Sequence, residues 1–140
     1  GGNLPLYGDG LNIRDWLYVE DHCRAVLFLL ENGAAGEVYN IGGGNSHTNI
    51  EITKKILKLM NKPESLIKPV KDRIGHDRRY ALDSAKLEKI GWQRLMNFEK
   101  GLKQTVDWYC RNEEWWRKLK NQDFRNYYKK QYVDREKNEK

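Results

Sequence analysis

Between Asp72 and Tyr80 the chain reads Asp72-Arg73-Ile74-Gly75-His76-Asp77-Arg78-Arg79-Tyr80: arginines, a histidine and aspartates around one glycine. Such a segment is unsuited to a core strand and suited to holding a phosphate. A guanidinium is a planar fork of donors that matches phosphate oxygens, histidine adds a directional donor, and Gly75 has no Cβ to keep a ligand off the backbone. A diphosphate is the ligand this chemistry addresses. The competing description is a solvated turn whose arginines pair with nearby acids, and the segment alone does not separate the two.

Two further positions carry binding-type groups. Arg14 stands in Asn12-Ile13-Arg14-Asp15-Trp16, flanked by apolar residues, so its charge needs Asp15, another acid or an anionic ligand. Asn40 precedes the glycine triplet Gly42-Gly43-Gly44, where a side-chain amide can donate to a ligand oxygen or form a local turn. His22 and His47 fall in the first turn of a helix and just before a cap, and neither has a partner that suggests chemistry. Cys23 and Cys110 are far apart, with no Cys-x-x-Cys or Cys/His ligand spacing, and read as structural thiols of a reducing cytoplasm. No metal site is expected.

The elements that must position these residues alternate in type. Pro5 to Gly10 is a short extended piece ending in a Gly-Asp-Gly turn, and Ile13 to Val19 is an extended connector or short strand. A helix follows from Glu20 to Asn32, with Cys23, Val26, Leu27 and Leu30 on its apolar face and Gly33 as its stop. Val38 to Ile41 reads as a strand feeding the glycine triplet, and strand, glycine turn, helix is an order that brings backbone close to a ligand. Thr48 and Glu51 form a capping box for a helix with the stripe Ile52, Ile56, Leu59, Met60, ended by Pro63. Ile67 to Val70 is a brief edge strand carrying Pro69. Asp83 caps a short helix stopped by Gly91, and Asn97 caps another whose face is Phe98, Leu102, Val106 and Tyr109. The class is α/β.

With 140 residues and 39% hydrophobic residues, the chain is globular and forms one domain or part of one. It opens on Gly1-Gly2-Asn3 and runs at once into Leu4-Pro5, as a piece of something longer would. Its net charge of +6 is mostly a property of the last stretch, from Arg111 to Lys140. No apolar run approaches the roughly 20 residues that span a bilayer, and no basic-then-apolar leader is present, so a soluble cytoplasmic protein without membrane contact is expected. The terminal Trp, Tyr, Lys and Arg could stack on single-stranded bases, but Glu113, Glu114, Asp123, Asp134 and Glu136 oppose a polyanion, and no nucleic-acid partner is expected.

The usual catalytic parts of a nucleotide enzyme are missing. No Gly-x-Gly-x-x-Gly or Walker loop occurs, and no tyrosine has a lysine four positions on: Tyr18 leads to His22, Tyr39 to Gly43, Tyr80 to Ser84 and Tyr127 to Gln131.

Four blocks taken in order, Leu4 to Gly10, Ile13 to Asp21, Tyr39 to Gly43 and Asp72 to Tyr80, resemble the dTDP-glucose 4,6-dehydratase family. That family is a branch of the extended short-chain dehydrogenases/reductases. The Arg-Asp-Trp and Gly-His-Asp-Arg-Arg-Tyr stretches are its most specific parts, and the likeness covers the carboxy-terminal part of such an enzyme. It implies that residues 16–41 return to the Rossmann domain as a late helix and strand, while the rest of 1–110 builds the nucleotide-sugar part. Residues 111–140 are then a basic, aromatic helical tail. It further implies Pro5 and Tyr7 near the thymine base, Arg14 and Asn40 near the diphosphate, Arg73 and His76 on the phosphates or ribose, and Tyr80 closing the site. The implied substrate is dTDP-glucose, oxidised and dehydrated with tightly held NAD on the way to deoxysugars such as rhamnose, in a homodimer. No catalytic or NAD-binding residue falls within this chain on that reading, so the piece alone should be inactive. A sibling nucleotide-sugar epimerase, decarboxylase or dehydratase is the alternative.

Overall fold

The computed structural model describes residues 2–131; Tyr132 and the tail charges from Asp134 onward, read above as part of a basic tail, lie outside the described residues. Strand β1 (Leu4–Tyr7) pairs in parallel with β4 (Ile67–Val70), in the register Pro5 to Lys68 and Leu6 to Pro69. Each proline withholds one backbone donor, which suits a two-stranded sheet in which both strands are edges. The crossover between them holds β2 (Ile13–Asp15), helix α1 (Val19–Asn32), β3 (Ser46–Thr48) and helix α2 (Asn49–Leu59), and a 3-10 turn (Glu64–Leu66) leads into β4. β2 and β3 are antiparallel, with Arg14 opposite His47. After β4 come helices α3 (Ala85–Lys89), α4 (Phe98–Arg111), α5 (Glu113–Leu119) and α6 (Gln122–Lys129). This mixture of helices with parallel pairing is the expected α/β class.

Local chemistry accounts for most boundaries. Thr48 Oγ1 accepts from the Glu51 amide while Glu51 Oε2 accepts from the Thr48 amide at 2.8 Å, so two orphan donors at the start of α2 are satisfied reciprocally. Asn97 caps α4 by accepting from the Lys100 amide at 2.9 Å. Asp83 accepts from the Ala85 amide at 2.8 Å, with Ser84 as the last residue before α3.

Three expectations fail on packing. The α1 face that sequence spacing assigns to a core is exposed at Cys23, Val26, Leu27 and Leu30, while Ala25 is buried with Leu87 and Trp92, and Phe28 and Leu29 pack against them. The helix is apolar on both sides, so spacing alone could not choose between them. Cys23 and Cys110 are free and exposed rather than buried structural thiols. In α2 the buried residues are Ile52 and Leu57, with Leu59 and Met60 outside.

Residues 38–41 form no strand. Among the described residues no neighbouring strand runs beside them, and extended backbone without a ladder partner is not a strand. Tyr39 and Ile41 nonetheless pack on the Ala25–Leu87–Trp92 cluster, while Val38 is exposed.

Candidate functional site

The polar cluster is built where three pieces meet: the Gly8–Gly10 turn after β1, strand β2 and the loop 71–80 after β4. Backbone ties set their mutual position. The Ile13 amide donates to the Arg78 carbonyl at 2.8 Å and the Tyr80 amide donates to the Ile13 carbonyl at 3.0 Å, which lays the loop along β2 in a parallel bridge. Asn12, almost fully buried, donates through Nδ2 to the Asp77 carbonyl at 3.2 Å. Gly75 adopts φ of +67°, a conformation glycine takes without Cβ strain, and space is open around it.

Two arginines are held on aromatic faces. The Arg14 guanidinium lies 4.6 Å above the Tyr80 ring and donates to the Ile13 carbonyl at 2.7 Å. Arg73 lies 5.4 Å from the Tyr7 ring centroid. Among the described residues neither has a carboxylate at ion-pair distance, whereas Arg24, Arg78, Arg94, Arg111 and Arg117 each do. Asp15, the expected intramolecular partner of Arg14, is committed elsewhere: its oxygens accept from the Gly43 and Asn45 amides at 2.7 and 2.8 Å.

The acids beside them have defined tasks. Asp72 Oδ1 accepts from the Arg73 amide at 2.8 Å and lies 2.6 Å from Nδ1 of His76, whose side chain is only 4% exposed. The His76 hydrogen bond is the main reason the Asp72 carboxyl sits below its usual range, helped by the Arg73 amide and the charges of His76 and Arg73 and opposed by partial burial. The His76 ring meets Tyr7 edge-on at 6.0 Å. Tyr80 donates its hydroxyl to Asp77 in a short hydrogen bond. That bond raises the phenol's pKa, the Asp77 charge and desolvation add to it, and the charges of Arg14 and Arg73 work against it, which places both guanidinium groups in the field felt by Tyr80. Arg78 forks onto Asp9 with contacts of 2.8, 3.1 and 3.1 Å. The pair depresses the Asp9 carboxyl, first through the Arg78 hydrogen bond, and raises the guanidinium.

Of the residues singled out by sequence, Tyr7, Arg73 and His76 thus form one group, and Arg14 with Tyr80 a second, joined through Ile13 and the loop backbone. Pro5 is half-buried two residues before Tyr7 on β1, and the Tyr7 hydroxyl accepts from Gln131 Nε2 at 3.3 Å, so the end of the described tail reaches this edge. Asn40 is exposed, and none of the cluster's hydrogen bonds or ring contacts described above involves it. Sequence reading passed over Asp9, Asn12, Asp72, Asp77 and Arg78 as individuals. Their partners are set by folding, and the one available signal was opposite charge in two glycine-bearing turns.

The glycine triplet does not cradle a ligand. The Gly42 amide donates to Ser84 Oγ at 2.8 Å, the Gly43 amide is taken by Asp15, and a Cβ on Gly43 would stand 2.0 Å from the Trp16 carbonyl oxygen. These glycines serve close packing, and they do not fit the pyrophosphate of a dinucleotide cofactor.

A cavity of about 880 Å³ lies elsewhere, between Trp16–Glu20 and α4, lined by Met96, Phe98, Leu102 and Trp108. It is apolar and holds none of the cluster's arginines. Among the described residues no group of three or more His, Cys, Asp or Glu could hold a metal ion, and no helix is long and apolar enough to cross a membrane.

Comparison with known proteins places the chain among nucleotide-sugar enzymes in sequence and in fold. The family model described as GDP-mannose 4,6 dehydratase matches residues 2–105. A dTDP-glucose 4,6-dehydratase of Neisseria meningitidis serogroup B is 48% identical over 137 residues, covering 89% of this chain and 39% of its own length. The crystal structure of the Bacillus anthracis dTDP-glucose 4,6-dehydratase in complex with NAD is 51% identical with a TM-score of 0.79, covering 84% of this chain and 38% of that one. The Streptomyces venezuelae dTDP-glucose 4,6-dehydratase, solved with NAD bound, is 46% identical with a TM-score of 0.81, covering 84% of this chain and 37% of that one. The chain spans under two-fifths of the length of these relatives, in their carboxy-terminal part. With the family model laid over all the elements that build the polar cluster, and with dTDP-glucose 4,6-dehydratases alike in sequence and in fold, the chain belongs to the GDP-mannose 4,6-dehydratase family.

Proposed function

We propose that this chain is the nucleotide-sugar-anchoring part of a dTDP-glucose 4,6-dehydratase, and that Arg14 and Arg73 grip the diphosphate. The observation that carries this reading is the state of the two arginines. Each is propped on an aromatic face and lacks a carboxylate among the described residues, beside an Arg78 that Asp9 neutralises. A diphosphate supplies the missing charge, and a guanidinium binds it through two parallel hydrogen bonds. Tyr80 holds Arg14 in plane and, with its hydroxyl on Asp77, closes the site. His76 has Nδ1 engaged by Asp72, leaving Nε2 as the atom that reaches a phosphate or ribose oxygen. Pro5 and Tyr7 line the side toward the base, and Asn40 donates to the diphosphate once the substrate is in place.

NAD is the cofactor of the whole enzyme, and the oxidation, elimination and reduction it supports belong to residues outside this chain. The described residues supply no dinucleotide cradle, and the sequence holds no tyrosine followed four positions later by lysine. The division of the chain into a nucleotide-sugar part to about residue 110 and a basic aromatic tail is part of the same reading, as is a homodimeric whole enzyme.

Isothermal calorimetry of the chain with dTDP tests the anchor. Arg14→Ala and Arg73→Ala are each expected to raise Kd at least about tenfold, about 1.4 kcal/mol. Unchanged affinity in both variants would remove the assignment.

A further inference from the structure

We infer that the Asp9–Arg78 ion pair is a latch that holds the loop 71–80 in its ligand-ready position, which makes Arg78 a positioning residue and not one of the anion-binding arginines. The inference rests on the anchor reading above and goes beyond it, since neither residue is assigned a part there.

Apart from its backbone ties to β2 and the Asp72–His76 contact, the loop has few side-chain anchors. Its apolar side chain, Ile74, is 98% exposed, and no helix or named strand occupies residues 71–80. Its far end is tied to β2 through Ile13 and Asn12, while its near end leaves β4 at Val70. Between them the chain must turn so that Arg73 faces Tyr7, and it does so through Gly75 at φ of +67°. Arg78 reaches across to the turn after β1, the same strand that presents Tyr7, and grips Asp9 through both guanidinium nitrogens. The latch therefore fixes the loop to the strand whose tyrosine supports Arg73. An exposed pair contributes little to global stability, but local opening of a loop is governed by the few contacts that the loop itself makes. A pre-positioned loop binds more tightly because less ordering is left to be done on binding.

The same geometry distinguishes a latch from a ligand. Arg78 has its nitrogens on Asp9, so removing the Asp9 charge frees a guanidinium beside the site. A ligand role predicts tighter anion binding from that change, and a latch predicts weaker binding. Asp9→Asn is well suited, because Asn Oδ1 can still accept from the Leu11 amide, which Asp9 now does at 2.9 Å.

The experiment uses the full chain with Asp9→Asn, Arg78→Gln and the double variant, measuring dTDP affinity by calorimetry and amide exchange of the free protein by mass spectrometry. Each single variant is expected to bind dTDP about fivefold more weakly through lost loop order. Exchange should quicken in peptides covering residues 72–80, while peptides from α4 exchange as in the parent. The double variant should be no worse than the weaker single, as for two ends of one contact. Tighter binding by Asp9→Asn overturns the latch in favour of a direct ligand role for Arg78, and unchanged loop exchange in both single variants overturns it outright. If the parent chain fails to bind dTDP, the anchor reading fails, and the exchange measurement still decides whether the latch exists.

Discussion

Asp72 and His76 illustrate how much of this cluster is decided one residue at a time. The imidazole is buried and the carboxylate beside it is partly open, and their 2.6 Å contact holds the ring edge-on to Tyr7. Because the Asp72 carboxyl is depressed in the folded protein, chiefly by the His76 hydrogen bond, its stabilising effect is present above its unfolded value, about pH 4, and is lost as pH falls through the lower folded value. Protection of the loop against amide exchange should therefore decline on acidification below about pH 4, and Asp72→Asn should flatten that decline. An identical acid profile in the variant would show that the loop does not depend on this carboxylate. Arg14 taught a similar lesson. The sequence demanded a counter-charge for it and offered Asp15, but Asp15 is spent on the amides of Gly43 and Asn45. Backbone donors in and beside a glycine turn can claim a carboxylate as effectively as a neighbouring cation can, and nothing in the local sequence ranks them.

At the scale of elements, caps and stops were readable because their causes are local. Thr48 with Glu51, and Asn97 before Phe98, satisfy amides within three residues of themselves. Thr48→Ala and Asn97→Ala are each expected to cost about 1 kcal/mol in urea unfolding, with α2 and α4 fraying at their first turns. A loss below about 0.3 kcal/mol in either would mean that tertiary contacts, not the cap, secure that end. Contacts of β3 and α2 with the start of α4 are candidates for such support, since His47 of β3 lies against Phe98 at 4.2 Å and Lys55 of α2 reaches Glu99 at 3.4 Å. Strand content was harder to read. The span 38–41 has the composition of a strand but no ladder partner among the described residues, and β3 at Ser46–Thr48 has neither β-branched density nor alternation, yet it is a strand because β2 lies against it. Pairing is a property of two segments, and composition describes one.

Across the whole molecule, burial is divided unevenly. Leu87 is fully buried against Ala25 and Trp92, whereas Leu30, on the other side of α1, is 79% exposed. Leu87→Ala should cost about 2–5 kcal/mol, through lost transfer energy and the cavity left behind. Leu30→Ala should change stability by less than about 0.5 kcal/mol in thermal or urea unfolding of this chain. A large loss at Leu30 would mean that this face is covered in solution. On the function proposed above, in which this chain anchors a substrate and other residues react with it, the chain is also expected to form no 4-keto sugar from dTDP-glucose with added NAD. Measurable product would place catalytic residues within these 140 positions.

From residues alone came the family, the order of its four blocks, the helix caps and the need of Arg14 for a counter-charge. Each of these depends on side-chain chemistry or on neighbours within a few positions, so a linear reading reaches it. The tertiary structure decided which side of α1 is core, that the glycine triplet is for packing, and that Arg78 is spent on Asp9 while Arg73 is not. Those outcomes turn on contacts between segments as far apart as Asp9 and Arg78, where several chemically equivalent pairings compete and only the folded backbone selects among them.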